Sequence, residues 1–427
     1  MPISIITHGA SAPVNNIGVP GLPGFGVGIC PAVPAGMTAL PGCTNQNNPN
    51  YGNYIYSDGS IMCWIPAFYY LYGTGANGLG VNVVNIKPLS TYADEATANA
   101  AGYALHRAFY DGGAVTGFFV DKFQCSNNAG TASSLRLGNP LSSAAAHNPF
   151  AGLTGTPANF YYGAIAAAKT RGANFFCSSR FIFAALALLS LAHGQASAAT
   201  AWCAWFSATT TNFPKGNNNN NASRQDYDDN GLTYASDGYS NCGKTGSANV
   251  FAKTTHNGQF SGVADLNGNV WEITPGLATD DAGTTYYALK TATRMKDVTG
   301  GTDGATDLWG AAGLAALYDS LGATFGVLQA NSSVKKYGTA TQVLDAATSG
   351  AAWTHTGLGV PMAGGADATG TALFGKDGLW DYRPAALCPI SGGGWDTTSA
   401  AGVWAFGLNT VRGSSSNGVG FRSALYL

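Results

Sequence analysis

Charge is what this sequence has least of: only 10% of its 427 residues are Asp, Glu, Lys or Arg, where an ordinary globular chain carries about a quarter. The net charge is −2 and the basic residues are scattered, so no cationic stripe can track a phosphate backbone and nucleic acid is not expected as a partner. Long hydrophobic runs are missing too. The most apolar stretch, Phe181 to Ala192, is flanked by Arg180 and His193 and is too short to span a bilayer, which predicts a buried helix and no membrane insertion. The opening MPISIITHGASAP has neither a basic segment nor an apolar one, so Sec export is not expected. Cys30, Cys43, Cys63, Cys125, Cys177, Cys203, Cys242 and Cys388 make no CxxC pair and no metal-ligand spacing, which predicts isolated buried thiols in a protein assembled in a reducing cytoplasm. His8, His106, His147, His193, His256 and His355 form no HExxH, and no serine sits in a GxSxG elbow, so each histidine reads as structural and no catalytic constellation is expected.

What is present is 45% hydrophobic residues, enough for a core, and 59 glycines. With so little charge the surface has to be Asn, Ser, Thr, Ala and Gly, which suits a loop-rich extracellular or particle-borne protein. Residues 1–50, with GVPGLPGFGVG at 18–28, read as an extended assembly arm ahead of one large domain over 51–427. Asp58-Gly59 between β-rich runs predicts a hairpin. Ser90 or Thr91 is a cap for a helix over 90–110, FFVDKF at 118–123 reads as a strand, and a helix is expected over 179–195, capped by Ser178 or Ser179 and stopping at Gly194. Residues 212–260, with asparagines at 217–221, read as loop. Residues 277–378 read as an insertion with a helix around Trp309 to Leu321, and the last 35 residues as short strands and turns.

Three motifs imitate sites. GYSNCGKT at 238–245 fits the P-loop pattern, but neither an apolar strand before it nor a helix after it is expected. GTGANG at 73–78 is followed by a strand-like run and reads as a hairpin turn rather than a dinucleotide loop. Asp265, Asn267 and Asn269 open like an EF-hand, but Val270 and Gly276 stand where Gly and Glu are needed, leaving only a differently built structural Ca²⁺ site open.

Three stretches in order resemble the formylglycine-generating-enzyme (sulfatase-modifying) family of the C-type-lectin fold. They are MCWIPAFYY (62–70) with FFVDKFQCSN (118–127), GVADLNGNVWEI (262–273), and GGGWDTTSAAGVWAFGLNTVRGSSSNGVGFRSAL (392–425). The resemblance implies an α+β, C-type-lectin-like fold with irregular insertions. Within it Asn269 would take a tight turn, Trp271 would bury its ring and Glu272 would accept nearby donors, while Phe421 and Arg422 would occupy opposite faces of a terminal strand. That family oxidises a sulfatase cysteine with a cysteine pair in the last segment. No cysteine follows Cys388, so the resemblance implies the fold without the oxidase activity and without a cofactor.

The chain resembles more closely the phage tail and diversity-generating-retroelement variable proteins, which display a variable C-terminal segment. Here that segment would span 380–427. In VWAFGLNT the apolar Trp404, Phe406 and Leu408 alternate with Ala405, Gly407 and Asn409, the period of a half-buried strand. The first set, with Trp395 and Phe421, would be scaffold. The second, with Thr410, the loop residues Asp396, Thr397 and Ala400 and the turn residues Ser414, Ser416, Asn417 and Gly418, would form a roughly flat ligand patch. The resemblance implies a virion protein of a tail tip or fibre, a homotrimer that meets a host-cell surface receptor, protein or glycan, and joins other tail proteins through the 1–50 arm. A purely structural virion component is the alternative.

Overall fold

The computed structural model of the chain describes residues 12–154, 160–209, 213–297, 314–323, 334–348 and 354–427. They form a mixed α+β architecture with two principal sheets. The six-stranded sheet runs Met37–Ala39, Asn53–Tyr56, Ile61–Pro66, Gly117–Asp121, Ser423–Tyr426, Phe176–Cys177, every neighbour antiparallel. Its first two turns are local. The hairpin expected at Asp58-Gly59 is present, with Ser60 N donating to Asp58 Oδ1 at 2.9 Å. The terminal strand is then inserted beside Gly117–Asp121, a pairing across some three hundred residues of chain that only burial of both faces can reward.

The seven-stranded sheet runs Ala366–Asp367, Val334–Tyr337, Gly378–Trp380, Phe406–Gly407, Ile390–Ser391, Trp271–Ile273, Val419–Gly420. Leu379 pairs in parallel with Phe406, and Trp271 with Val419. Much of the expected insertion is therefore built into this sheet or into the three-stranded sheet of Leu277–Thr279, Tyr286–Leu289 and Tyr318–Gly322. The helix expected around Trp309 to Leu321 is corrected where it can be seen: Leu314–Leu317 is one 3₁₀ turn and Tyr318 begins a strand, while 309–313 lie outside the described residues. The β-branch-poor YDSLG segment is held as a strand by pairing with Tyr286–Leu289, a tertiary override of local preference.

The helix Arg180–Ala196 begins at the expected Ser179, whose hydroxyl accepts from Ile182 N, and it runs two residues past Gly194. It is buried on every side through its first fifteen residues, which explains a run with no polar face. Its Arg180 guanidinium donates to Leu358 O, Gly359 O and Ser391 Oγ at 2.6–2.9 Å and lies 3.7 Å from the centroid of the Phe406 ring. The helix is thus fastened beneath two central strands of the seven-stranded sheet. The other expected helix, 90–110, shrinks to Glu95–Ala100, capped by Asp94 rather than Ser90 or Thr91. Gly102 ends it, and Ala104–Leu105 leaves to pair with Tyr69–Tyr70.

The arm expected over 1–50 is corrected for residues 12–50. Ile17, Phe25 and Val27 are fully buried in the main core. Gly26 approaches the His256 ring so closely that a Cβ would lie 2.6 Å from Nε2; a side chain there would have no room. Residues 1–11 lie outside the described residues. The 213–260 segment has no strand or α-helix, as expected, yet it is not a solvated loop: Asn217 and Asn218 are buried and donate to Asn269 Oδ1 and Asn267 Oδ1 at 3.1 and 3.0 Å. Among the described residues no helix is long and apolar enough to cross a membrane.

Candidate functional site

Five adjacent strands of the seven-stranded sheet set one row of residues on a single face. Trp380 pairs with Gly407, Gly407 with Ile390, Ile390 with Ile273, and Trp271, two residues before Ile273, shares its face and pairs with Val419. Period-two alternation sends Leu379, Phe406, Ser391 and Glu272 to the opposite, buried side. That row, apart from the fully buried Ile273, is the floor of a cleft of about 460 Å³. Two half-buried indoles stand in it, Trp271 edge-on to Trp380 with centroids 5.2 Å apart. At Gly407 the floor is backbone only, since a Cβ would come within 2.7 Å of Ile390 Cγ1.

The rims are turns. Thr397 closes one, its Oγ1 accepting from Gly394 N at 2.8 Å, with Asp396 exposed beside it. The other rim is the 414–418 turn: Ser416 N donates to Ser143 Oγ and Ser143 Oγ donates to Ser416 O, at 2.7 and 2.9 Å, and Asn417 Nδ2 donates to the Tyr239 hydroxyl. Thr410 Oγ1 donates to Cys388 O at 2.5 Å. Among the described residues neither Asp396 nor Asn409 has a side-chain hydrogen-bond partner, so both carry free polar groups at the cleft.

Of the residues singled out in the sequence as a ligand patch, Asp396, Thr397, Gly407, Asn409, Thr410, Ser416, Asn417 and Gly418 line this cleft, and Ala400, Ala405 and Ser414 do not. Two of the expectations are corrected. Ala405 is fully buried, because the chain at 401–408 runs through the core and only two of its residues are strand. Gly407 lines the cleft but has no freedom to vary, for the steric reason given. The patch is concave, not flat. Among the scaffold residues, Trp404, Phe406, Leu408 and Phe421 are buried as expected, and Trp395 is only half-buried. Trp271 does not bury its ring as expected. It stands in the cleft, and Trp380, which local sequence did not mark, stands opposite.

Behind the floor the GNVWE and GFR segments lock together. Arg422 donates to both Glu272 oxygens, at 2.5 Å to Oε2, and to Ala264 O and Asp121 O at 2.9 and 3.0 Å. Burial opposes the guanidinium charge, but Glu272 outweighs it and the Arg422 pKa is raised. Asn269 holds a left-handed backbone, φ 70°, and its amide is shared among Gln124, Gly243 and Asn217. Asp265 accepts from Tyr234 OH and Gly246 N at 3.0 and 2.7 Å, so the EF-hand-like oxygens serve the protein's own donors.

All eight cysteines are free and buried. Burial pushes Cys388 up to about 12 and Cys63 up to about 11, which keeps them as inert thiols at neutral pH. Burial likewise pushes His106 and His256 down to about 3 and His193 down to about 4, so these rings are neutral structural groups. GTGANG forms the turn between the antiparallel strands Phe68–Tyr72 and Val84–Pro88. The first helical element after GYSNCGKT is the single 3₁₀ turn Phe251–Thr254, not an α-helix. No protein-family model matches the chain, and no curated protein matches its sequence.

Proposed function

We propose that the protein is a receptor-binding or adhesin protein of a phage tail tip or fibre, built on a C-type-lectin-like fold of the formylglycine-generating-enzyme type, and that it takes a host-surface protein or glycan in the cleft between Trp271 and Trp380. One observation carries the reading: residues chosen from strand alternation and turn composition, far apart along 396–418, converge on one concave surface. Aromatic faces with a few unpaired polar groups are what a recognition site needs. The floor is rigid because Arg180 and the Arg422–Glu272 pair fix its strands from below, so the rims can differ in sequence at little cost to the fold. A homotrimer would multiply weak contacts into avidity. The deep burial of the thiols favours binding over cysteine oxidation.

The test is a double variant, Asp396→Ala with Asn409→Ala, assayed on immobilised bacterial surface glycans and envelope-protein extracts. Wild type should bind at least one, and the variant should lose that binding while its stability changes by about 0.5 kcal/mol or less per site. Unchanged binding by the variant, or no binding by the wild type, refutes the proposal.

A further inference from the structure

The motif at 238–245 does not line the cleft, although its Tyr239 hydroxyl accepts from Asn417 on the rim, and it builds a second cluster beside it. Ser236 and Gly243 are bridged, closing a turn in which Gly238 and Ser240 have φ of 93° and 39°. That turn brings Asp237 and Cys242 together. Tyr239 N donates to Asp237 Oδ1 at 2.8 Å, which leaves Oδ2 directed elsewhere. A separate turn, closed by His147 N donating to Ala144 O at 3.1 Å, delivers His147, whose Nε2 stands 2.7 Å from Asp237 Oδ2. The His147 and Asp237 side chains are 5% and 0% exposed. His147 Nε2, a carboxylate oxygen of Asp237 and Cys242 Sγ all lie within 4.8 Å of one another.

The imidazole shows what the cluster lacks. Nδ1 faces the carbonyl of Asn417 at 3.2 Å, an oxygen that can only accept, so the tautomer with its proton on Nδ1 satisfies that contact and turns the Nε2 lone pair toward the cluster. Yet Nε2 also faces an acceptor, the Asp237 carboxylate. At 2.7 Å the two atoms share a proton, as a hydrogen-bonded pair does, and a larger cation would take that proton's place by spreading them. Cys242 Sγ stands in the same cluster, hydrogen-bonded to the Asp237 carboxylate, with longer contacts of 3.6 Å to Asn269 Oδ1 and 3.8 Å to Gly243 O. One nitrogen, one carboxylate and one sulfur suit a zinc-class ion, whereas Ca²⁺ requires six or more oxygens. A neutral imidazole, a carboxylate and a thiolate also cancel the two charges of the ion, which a site this enclosed requires. The Nδ1 bond to a backbone carbonyl is the outer contact that orients a metal-binding histidine.

We propose that His147 Nε2, Asp237 Oδ2 and Cys242 Sγ bind a zinc-class divalent ion, with water in the fourth position. Binding releases the Cys242 thiol proton, and any proton on Nε2, to solvent, so affinity rises with pH. Metal–ligand bonds of about 2.0–2.3 Å around a tetrahedron place ligands roughly 3.3–3.7 Å apart, so the turn opens slightly as the ion enters. Through Asn417 the ion would brace one rim of the cleft, but its presence is measured without any cleft ligand.

The experiment uses the full chain, stripped with chelator and titrated with Co²⁺. Expected are one equivalent bound, a thiolate-to-metal charge-transfer band with tetrahedral ligand-field bands, displacement of both by Zn²⁺, and a Zn²⁺-dependent rise in melting temperature. Cys242→Ser should lose the charge-transfer band, and Cys388→Ser, a buried thiol outside the cluster, should keep it. No stoichiometric Co²⁺ uptake by wild type, or a charge-transfer band that survives Cys242→Ser, overturns the proposal. If circular dichroism shows that Cys242→Ser does not fold, His147→Gln is read in its place. Wild-type affinity in that variant overturns the proposal equally.

Discussion

Replacing Arg422 with Met tests whether the two resembling motifs hold the cleft from behind. The side chain is fully buried, and it donates to Glu272, Ala264 O and Asp121 O. Methionine fills much of the same volume, so packing loss is small and the main effect falls on Glu272, which keeps only a 3.3 Å contact from Gln124 Nε2. A buried carboxylate stripped of its cation costs about 3–5 kcal/mol, a large part of the roughly 5–15 kcal/mol by which a protein is stable. For a chain of 427 residues the melting temperature should fall by roughly 3–6 °C. Urea denaturation followed by circular dichroism supplies the free energy. The diagnostic partner is the double variant Glu272→Met with Arg422→Met, which removes both charges and should recover most of the loss, because an apolar pair can replace a buried ion pair at little net cost. A loss below about 1 kcal/mol in Arg422→Met, or a double variant as unstable as the two single losses added, would show that the pair is not the structural lock described above.

Asp381 has both carboxylate oxygens buried without a hydrogen-bond partner, and burial pushes its pKa up to about 7 from about 3.9 in an unfolded chain. The folded state therefore holds the proton more tightly, and the stability this gives is complete below about pH 4 and lost as the pH rises through 7. Asp381→Asn should lessen that loss, so its melting temperature relative to wild type should rise between pH 5 and pH 8; a constant difference would refute the assignment. Gly407→Val should destabilise by about 1–3 kcal/mol through overpacking, since a Cβ there meets Ile390 Cγ1 at 2.7 Å. A variant that melts like wild type would restore position 407 to the freely variable set.

The parts of the fold that were legible in the sequence are those written in neighbouring residues. Asp58 turns its hairpin with its own carboxylate and Ser179 caps its own helix, while over 404–408 the large apolar Trp404, Phe406 and Leu408 are buried but alternation fails, since Ala405 and Gly407 are buried as well. Residues 12–50 were illegible because their contacts are remote: Asn257 Nδ2 donates to Phe25 O at 2.8 Å, and Trp64 O accepts from Gly28 N at 3.1 Å. Glycine and proline there signal only an absence of regular structure. That is the same in a free arm and in a segment moulded to a core.

The cleft shows the same limit from the other side. A tryptophan after Gly-Asn-Val reads as core, because large rings are usually buried and its strand alternates as a core strand would. Two parallel pairings, Leu379 with Phe406 and Trp271 with Val419, decide otherwise. With the antiparallel pairings of Ile390 they set the 378–380 and 271–273 strands three positions apart in the sheet, two strands between them, and that spacing stands Trp380 opposite Trp271. Parallel pairs need long crossovers, so no window of sequence contains both partners. The polar rims were readable since a turn is a local event, whereas the aromatic walls are a product of sheet order. A site of this kind will therefore show its polar rim residues to a sequence reader before it shows the rings that stand between them.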